Sequence, residues 1–218
     1  MTDYGKSDFW ALRAQKEHYP ARSVYKLKEM AEKFALLPAD PAGFRVLDLG
    51  AAPGSWSLFL LREFHRRFRP GPGRVPPFLA AADLAPLSRR YDGGLFEGEG
   101  FFFLQGDFTR PENRETLAGR GPYHLILSDA APATTGNRAV DTERSLVLAE
   151  EALAYAESAL APGGSLVMKV FQGGDTAGLL RQIRALFATG KACKPQACRT
   201  GSFETYYLGL GRRLRENN

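Results

Sequence analysis

Apolar residues fall in short runs separated by longer amphipathic stretches. Phe44 to Leu49 (FRVLDL), Phe78 to Asp83 (FLAAAD), Phe101 to Leu104 (FFFL), His124 to Ser128 (HLILS) and Ser165 to Phe171 (SLVMKVF) each read as a strand. Their near-continuous hydrophobicity is that of strands covered on both faces. The intervening stretches Ser55 to Phe68, Thr142 to Leu160 and Thr176 to Phe187 read as helices, the second stopping at Pro162-Gly163-Gly164. Upstream, Arg22 to Phe34 predicts a helix with Val24, Leu27, Met30, Ala31 and Phe34 on one face. Two late strands are expected near Ala192 and from Thr205 to Leu210. Arg69 to Pro77 (RPGPGRVPP) is a loop, because its prolines and glycines hold neither helix nor central strand. Strands alternating with helices predict an α/β fold with a mainly parallel sheet. No repeat and no linker divides the chain, so residues 1–218 are expected to form one domain, with 1–36 a basic helical extension.

Composition narrows the classes. With 218 residues, 44% hydrophobic and 24% charged, the chain has a globular balance and can bury a core. Two cysteines, Cys193 and Cys198, are too few for a disulfide scaffold, and they read as ordinary thiols. The start MTDYGKSDFW lacks a secretory pattern, and no apolar run approaches a membrane span. A cytoplasmic protein with no membrane partner is expected. The net charge is +5. From Arg181 onward eight basic residues face two acidic ones, and the first 33 residues hold seven basic and five acidic. Positive charge at both ends is the pattern of a polyanion binder.

In an open α/β sheet, ligands bind at the carboxyl ends of the strands. Here those ends carry Asp48-Leu-Gly-Ala-Ala-Pro-Gly54, Asp83, Asp107 and Asp129, and the fifth strand, Ser165 to Phe171, carries Lys169. The Gly50 to Gly54 turn is neither the dinucleotide fingerprint nor a phosphate-binding loop. Alone it fits a bare tight connection as well as a ligand site. Asp83 can accept from both hydroxyls of a ribose, and Asp107 can accept from an adenine amino group. A nucleoside cofactor held without a phosphate motif points to S-adenosylmethionine. Lys169 interrupts an apolar strand, and the neighbouring strand brings Asp129 beside it. That pair fits a structural ion pair or a catalytic one. Taken alone, Glu204 reads as a solvated strand residue and Lys26 as helix surface.

The motifs DLGAAPGSW, LQGDF, SDAAP, AVD, LAPGGSLVMKVFQG and SFETYY, in this order from about Arg22 to Arg213, resemble the FtsJ/RrmJ family of RNA 2′-O-ribose methyltransferases. The resemblance implies a Rossmann-like class I methyltransferase sheet of seven strands, with one antiparallel strand near the C-terminus. It implies a catalytic tetrad of Lys26, Asp129, Lys169 and Glu204. Cofactor contacts are implied at Gly50, Gly54, Trp56, Asp83, Asp107 and Asp129, with no metal. Its bacterial members methylate a uridine of 23S rRNA in the large ribosomal subunit, and that is the substrate expected, for a monomer. The alternatives are tRNA or capped mRNA as substrate, or a non-catalytic RNA-binding protein keeping a relict pocket. Lys169 is the expected general base. Arg13, Lys16, Arg22 and Lys28 are expected to meet RNA at the mouth of the site. Ser55 stands where glycine is common, and 69–77 and Asp92 to Gly100 look like insertions.

Overall fold

A computed structural model describes residues 4–199 and 201–214; Arg215 and Glu216 of the charge tally lie outside them, as do the side chains of residues 4–8. The chain runs α1 (Tyr4–Lys16), α2 (Val24–Lys33), β1 (Arg45–Leu49), α3 (Ser55–Arg67), β2 (Phe78–Asp83), β3 (Phe101–Gln105), α4 (Pro111–Ala118), β4 (Tyr123–Ser128), α5 (Arg138–Ala159), β5 (Leu160–Phe171), α6 (Thr176–Leu186), β6 (Phe187–Cys193) and β7 (Glu204–Arg212). One sheet holds the strands in the order β3-β2-β1-β4-β5-β7-β6. β7 runs antiparallel to both β5 and β6, and the remaining pairs of neighbours are parallel. The expected seven-stranded sheet with one reversed strand is therefore present.

Period-two alternation sends side chains to opposite faces. Val46, Leu125, Leu127, Val167, Tyr206 and Leu208 pack under α2 and α3, with Val24, Leu27, Met30, Trp56 and Leu60. Leu47, Ile126, Leu166, Met168 and Val170 pack under α5 and α6, with Ala152, Tyr155, Leu179 and Ile183. Lys169 lies between Met168 and Val170, so it points to the α2 side, where Lys26 lies.

Three departures from the sequence reading have local causes. The turn Pro162-Gly163-Gly164 does not precede β5 but bulges within it: Tyr123 pairs with Leu160 and Leu125 with Ser165. α5 starts at Arg138, earlier than its apolar pattern, because the Asn137 side chain caps it by accepting from the Ala139 and Val140 amides. α4 was not anticipated; Leu117 is its only buried residue, so it carries no periodic signal, and Pro111 at its first turn was the one cue. The 69–77 loop enters the amino end of β2, opposite the strand ends that form the site. Arg74 there pairs with Asp40 at 2.5 Å.

Candidate active site

β4 and β5 end side by side, and β7 returns antiparallel against β5 with Tyr206 opposite Lys169 and Glu204 opposite Phe171. That register gathers the four expected catalytic residues. Lys169 Nζ lies 3.1 Å from Asp129 Oδ1 and donates to the Asp129 carbonyl at 2.5 Å. Lys26 Nζ lies 2.7 Å from Glu204 Oε1. The readings of Lys26 and Glu204 from their local sequence are corrected: their side chains are only 9% and 14% exposed, because α2 packs its Lys26 face over β7. Burying both charges requires the pairing seen.

Tyr206 links the two ion pairs. Its hydroxyl donates to Asp129 Oδ1 at 2.6 Å, and Lys26 Nζ sits 5.8 Å from its ring centroid. Burial and then the Asp129 charge push the Tyr206 phenol well above its ordinary range, so it stays a donor. Burial also pushes the Asp129 carboxyl up, but Lys169 and then Lys26 outweigh it and hold Asp129 below the usual carboxylate value. The sequence reading missed Tyr206. Its signal was alternation: two residues after Glu204, it shares that residue's face of β7.

The cofactor side forms around the β1–α3 turn. Gly50 has φ +73°, and a Cβ there would come within 2.5 Å of Ala130 Cα. Gly54 has φ +102°, and a Cβ there would meet Phe96 at 3.0 Å. Phe96 comes from the 92–100 stretch, so that insertion backs the turn. Asp83 Oδ2 accepts from the Ala52 amide at 2.8 Å and Oδ1 from the Ala85 amide at 2.8 Å. Each oxygen keeps a second lone pair for a ribose hydroxyl. Asp107 Oδ1 accepts from the Thr109 hydroxyl at 2.7 Å and the Thr109 amide at 2.9 Å. Those two bonds hold its carboxyl below the usual range, as an anionic acceptor whose Oδ2 lies 3.8 Å from Arg110 Nε. Trp56 is placed differently. Its Nε1 donates to the Ser23 carbonyl at 2.8 Å and its ring packs 5.9 Å from Tyr206. It fastens α2 to α3, and what it can offer a cofactor is its backbone N–H in the first turn of α3. Ser55 begins α3, and its hydroxyl accepts from the Ala21 amide at 2.7 Å, so serine fits the glycine position.

The expected RNA contacts are only partly free to act. Arg13 and Lys28 both bind Glu17, each at 2.7 Å, while Lys16 is exposed at the end of α1. Arg22 is partly buried and feels the charges of Arg199 and Glu204; burial and then Arg199 lower its pKa.

A family model described as FtsJ-like methyltransferase matches residues 19–212. The chain belongs to the FtsJ-like methyltransferase family. A protein named ribosomal RNA large subunit methyltransferase E from Treponema denticola is 47% identical over 207 residues, covering 95% of this chain and 96% of that one. One of the same name from Nitratidesulfovibrio vulgaris is 46% identical over 209 residues, covering 94% of each. A crystal structure of a putative ribosomal RNA methyltransferase from Plasmodium falciparum superposes with TM-score 0.70 at 21% identity, over 90% of this chain and all of that one. Human methyltransferase-like protein 13, solved with S-adenosylhomocysteine, shares the fold at TM-score 0.57 and 16% identity, over 89% of this chain and 85% of that one.

S-adenosylmethionine is the cofactor of this FtsJ-like fold, and the residues present fit it. Asp83 and Asp107 offer acceptors for a ribose and an adenine. Gly50 and Gly54 keep the turn clear of side chains, and the amino end of α3 offers N–H groups to a carboxylate.

Asp48, beneath the turn, is fully buried; Oδ2 accepts from the Ser57 hydroxyl at 2.6 Å, and Oδ1 has no hydrogen-bond partner among the described residues. Burial, and then the Asp129 charge, push its carboxyl up to about 7 despite the Ser57 bond. The folded chain therefore binds a proton that the unfolded chain releases near pH 4. The stability this gives is full below about pH 4 and is lost as pH rises through about 7. In Asp48→Asn that dependence disappears. Between pH 5 and 8 wild type should lose about 2–3 kcal/mol that the variant keeps, because part of the roughly three-unit shift is already spent below pH 5. Urea unfolding at both pH values checks this, and parallel losses in the two proteins would refute it.

Proposed function

We propose that this chain transfers a methyl group from S-adenosylmethionine to the 2′-hydroxyl of a uridine of 23S rRNA in the large ribosomal subunit. Lys26, Asp129, Lys169 and Glu204 are the proposed catalytic groups, and Gly50, Gly54, Trp56, Asp83, Asp107 and Asp129 the proposed cofactor contacts. The enzyme would work as a cytoplasmic monomer, one methyltransferase domain with residues 1–36 helping to hold RNA. The observation that carries the reading is Lys169 Nζ held by both the carboxylate and the carbonyl of Asp129, on the same face as the Lys26–Glu204 pair.

Bound S-adenosylmethionine supplies an electrophilic methyl group on a sulfonium. The ribose hydroxyl is a weak nucleophile and must lose its proton as it attacks. Two N–H bonds to Asp129 fix the orientation of Nζ. In the neutral amine the remaining tetrahedral position is a lone pair, directed to take the proton of the 2′-hydroxyl. Asp129, tied by Tyr206, keeps Lys169 from rotating away. The Lys26–Glu204 pair brings a donor and an acceptor to the other side of the ribose. Holding oxygen, carbon and sulfur in line supplies much of the acceleration. A base role predicts a rate that rises with pH to a plateau; a flat profile from about pH 6 to 9 would instead leave Lys169 as a fixed donor to the developing alkoxide.

The substrate is tested with labelled S-adenosylmethionine on undermethylated large subunits, free 23S rRNA, tRNA and capped RNA. Label should enter the large-subunit lane first. Label confined to tRNA or capped RNA would overturn the substrate assignment.

A further inference from the structure

Outside the cofactor residues, a cleft of about 350 Å³ opens between the end of α1 and the segment after β2, lined by Gln15, Tyr19, Arg22, Ser88, Arg90 and Tyr91 among others. None of the proposed cofactor or catalytic residues lines it. We propose that this cleft is a subsite for one unpaired RNA nucleotide neighbouring the methylated one, its base stacking on Tyr91 and its phosphate meeting Arg22 and Arg90. The inference rests on the RNA methyltransferase reading above and adds where the flanking strand goes.

Three observations carry it. The first is chemistry. A volume of about 350 Å³ is at the small end of ligand sites and excludes a duplex. Its walls combine the rings of Tyr19 and Tyr91, two guanidiniums and small polar groups. Single-stranded RNA is recognised by stacking on aromatic or guanidinium planes, with cations on the backbone. Tyr91 already meets a cation and a ring: the Arg90 guanidinium lies 4.9 Å from its ring centroid, and the His18 ring lies 5.4 Å away at a 55° tilt.

The second is that both walls are fixed before any ligand arrives. Arg62 of α3 donates to the Glu17 carbonyl at 3.2 Å, the His18 carbonyl at 3.0 Å and the Tyr91 carbonyl at 3.1 Å. Its guanidinium also lies 4.6 Å from the Tyr19 ring centroid. The end of α1 and the 88–91 segment are thus clamped to the helix that follows the cofactor turn. Ser88 is held to that turn itself, its amide donating to the Pro53 carbonyl at 3.0 Å. Preorganisation of this kind cuts the ordering cost of binding.

The third is position. Arg22 is at once a wall of the cleft and a residue whose charge is coupled to Glu204. Arg22 lies two residues before α2, and Lys26 sits in the first turn of that helix. A strand whose target ribose lies at Lys169 and Lys26 would leave the reaction centre past Arg22 and enter the cleft.

The test uses Tyr91→Ala, Tyr91→Phe and Arg90→Ala in the full chain, with two readouts. In methyl transfer to undermethylated large subunits, Tyr91→Ala and Arg90→Ala should each raise KM for the subunit roughly tenfold, with kcat and the Kd for S-adenosylmethionine near wild type. Tyr91→Phe should restore KM, because stacking needs the ring and not the hydroxyl. In NMR titration with a single-stranded tetraribonucleotide, amide shifts should cluster at Gln15, Tyr19, Ser88 and Tyr91, and vanish in Tyr91→Ala. Unchanged KM, shifts elsewhere, or equal losses of kcat, cofactor binding and Tm would overturn the subsite. If wild type methylates no large subunit, the functional reading fails instead, and the tetranucleotide map still decides the cleft.

Discussion

Lys169→Ala should lower kcat for methyl transfer by about a thousandfold or more while leaving the Kd for S-adenosylmethionine within about threefold. The asymmetry follows from the geometry. Among the described residues, the polar partner of Lys169 Nζ is Asp129. The proposed adenosine contacts, Asp83 and Asp107, are held by the separate amides of Ala52, Ala85 and Thr109. Removing one partner of a buried pair normally destabilises, because the other charge is left bare. Here Asp129 keeps the Tyr206 hydroxyl at 2.6 Å and the attraction of Lys26. The variant should therefore fold, and its lost activity can be read as lost chemistry. Lys169→Arg should rescue little, because guanidinium cannot give up its proton at working pH. Activity within tenfold of wild type for Lys169→Ala, by initial rates at saturating substrate, would remove Lys169 from the reaction.

Gly50→Ala is expected to have the largest effect on stability and cofactor affinity together. A Cβ at Gly50 would lie 2.5 Å from Ala130 Cα and 2.6 Å from Ala130 N, both backbone atoms. Backbone cannot swing aside as a long side chain can. The residue also sits at φ +73°, where an L side chain is strained. Strain and overpacking together cost about 2–5 kcal/mol. Relief would push β1's end from β4's and carry the Asp83–Ala52 bond with it, so Tm should drop by several degrees and cofactor binding weaken at least tenfold. Thermal unfolding and isothermal titration with S-adenosylmethionine check both. A variant with unchanged Tm would mean that the close approach to Ala130 is not obligatory.

Much of this molecule is legible in the chain because its strands are buried on both faces. FLAAAD marks β2 from Phe78 to Asp83, the same limits the structure gives. What stayed hidden depends on contacts across long sequence separations. Lys26 looks solvated within its own helix and is buried only because β7 lies beneath it. Tyr206 looks like one more strand aromatic until the antiparallel register sets it opposite Lys169. Phe96 falls in a stretch that reads as an insertion, and only folding puts it behind Gly54. At Trp56 the motif marks the position, and only the packing shows that the indole meets Ser23 and Tyr206. Motif order thus located the strand ends, while the roles of individual side chains had to wait for the packing of α2 against β7.

The most direct test of the account runs wild type and Lys169→Ala in parallel on undermethylated large subunits with methyl-labelled S-adenosylmethionine, followed by alkaline hydrolysis of the rRNA. A 2′-O-methyl group blocks cleavage at its own linkage. The account predicts label from wild type in alkali-resistant dinucleotides that begin with uridine, and none from the variant. Label released as a methylated base or an ordinary mononucleotide, or equal label from both proteins, would contradict it.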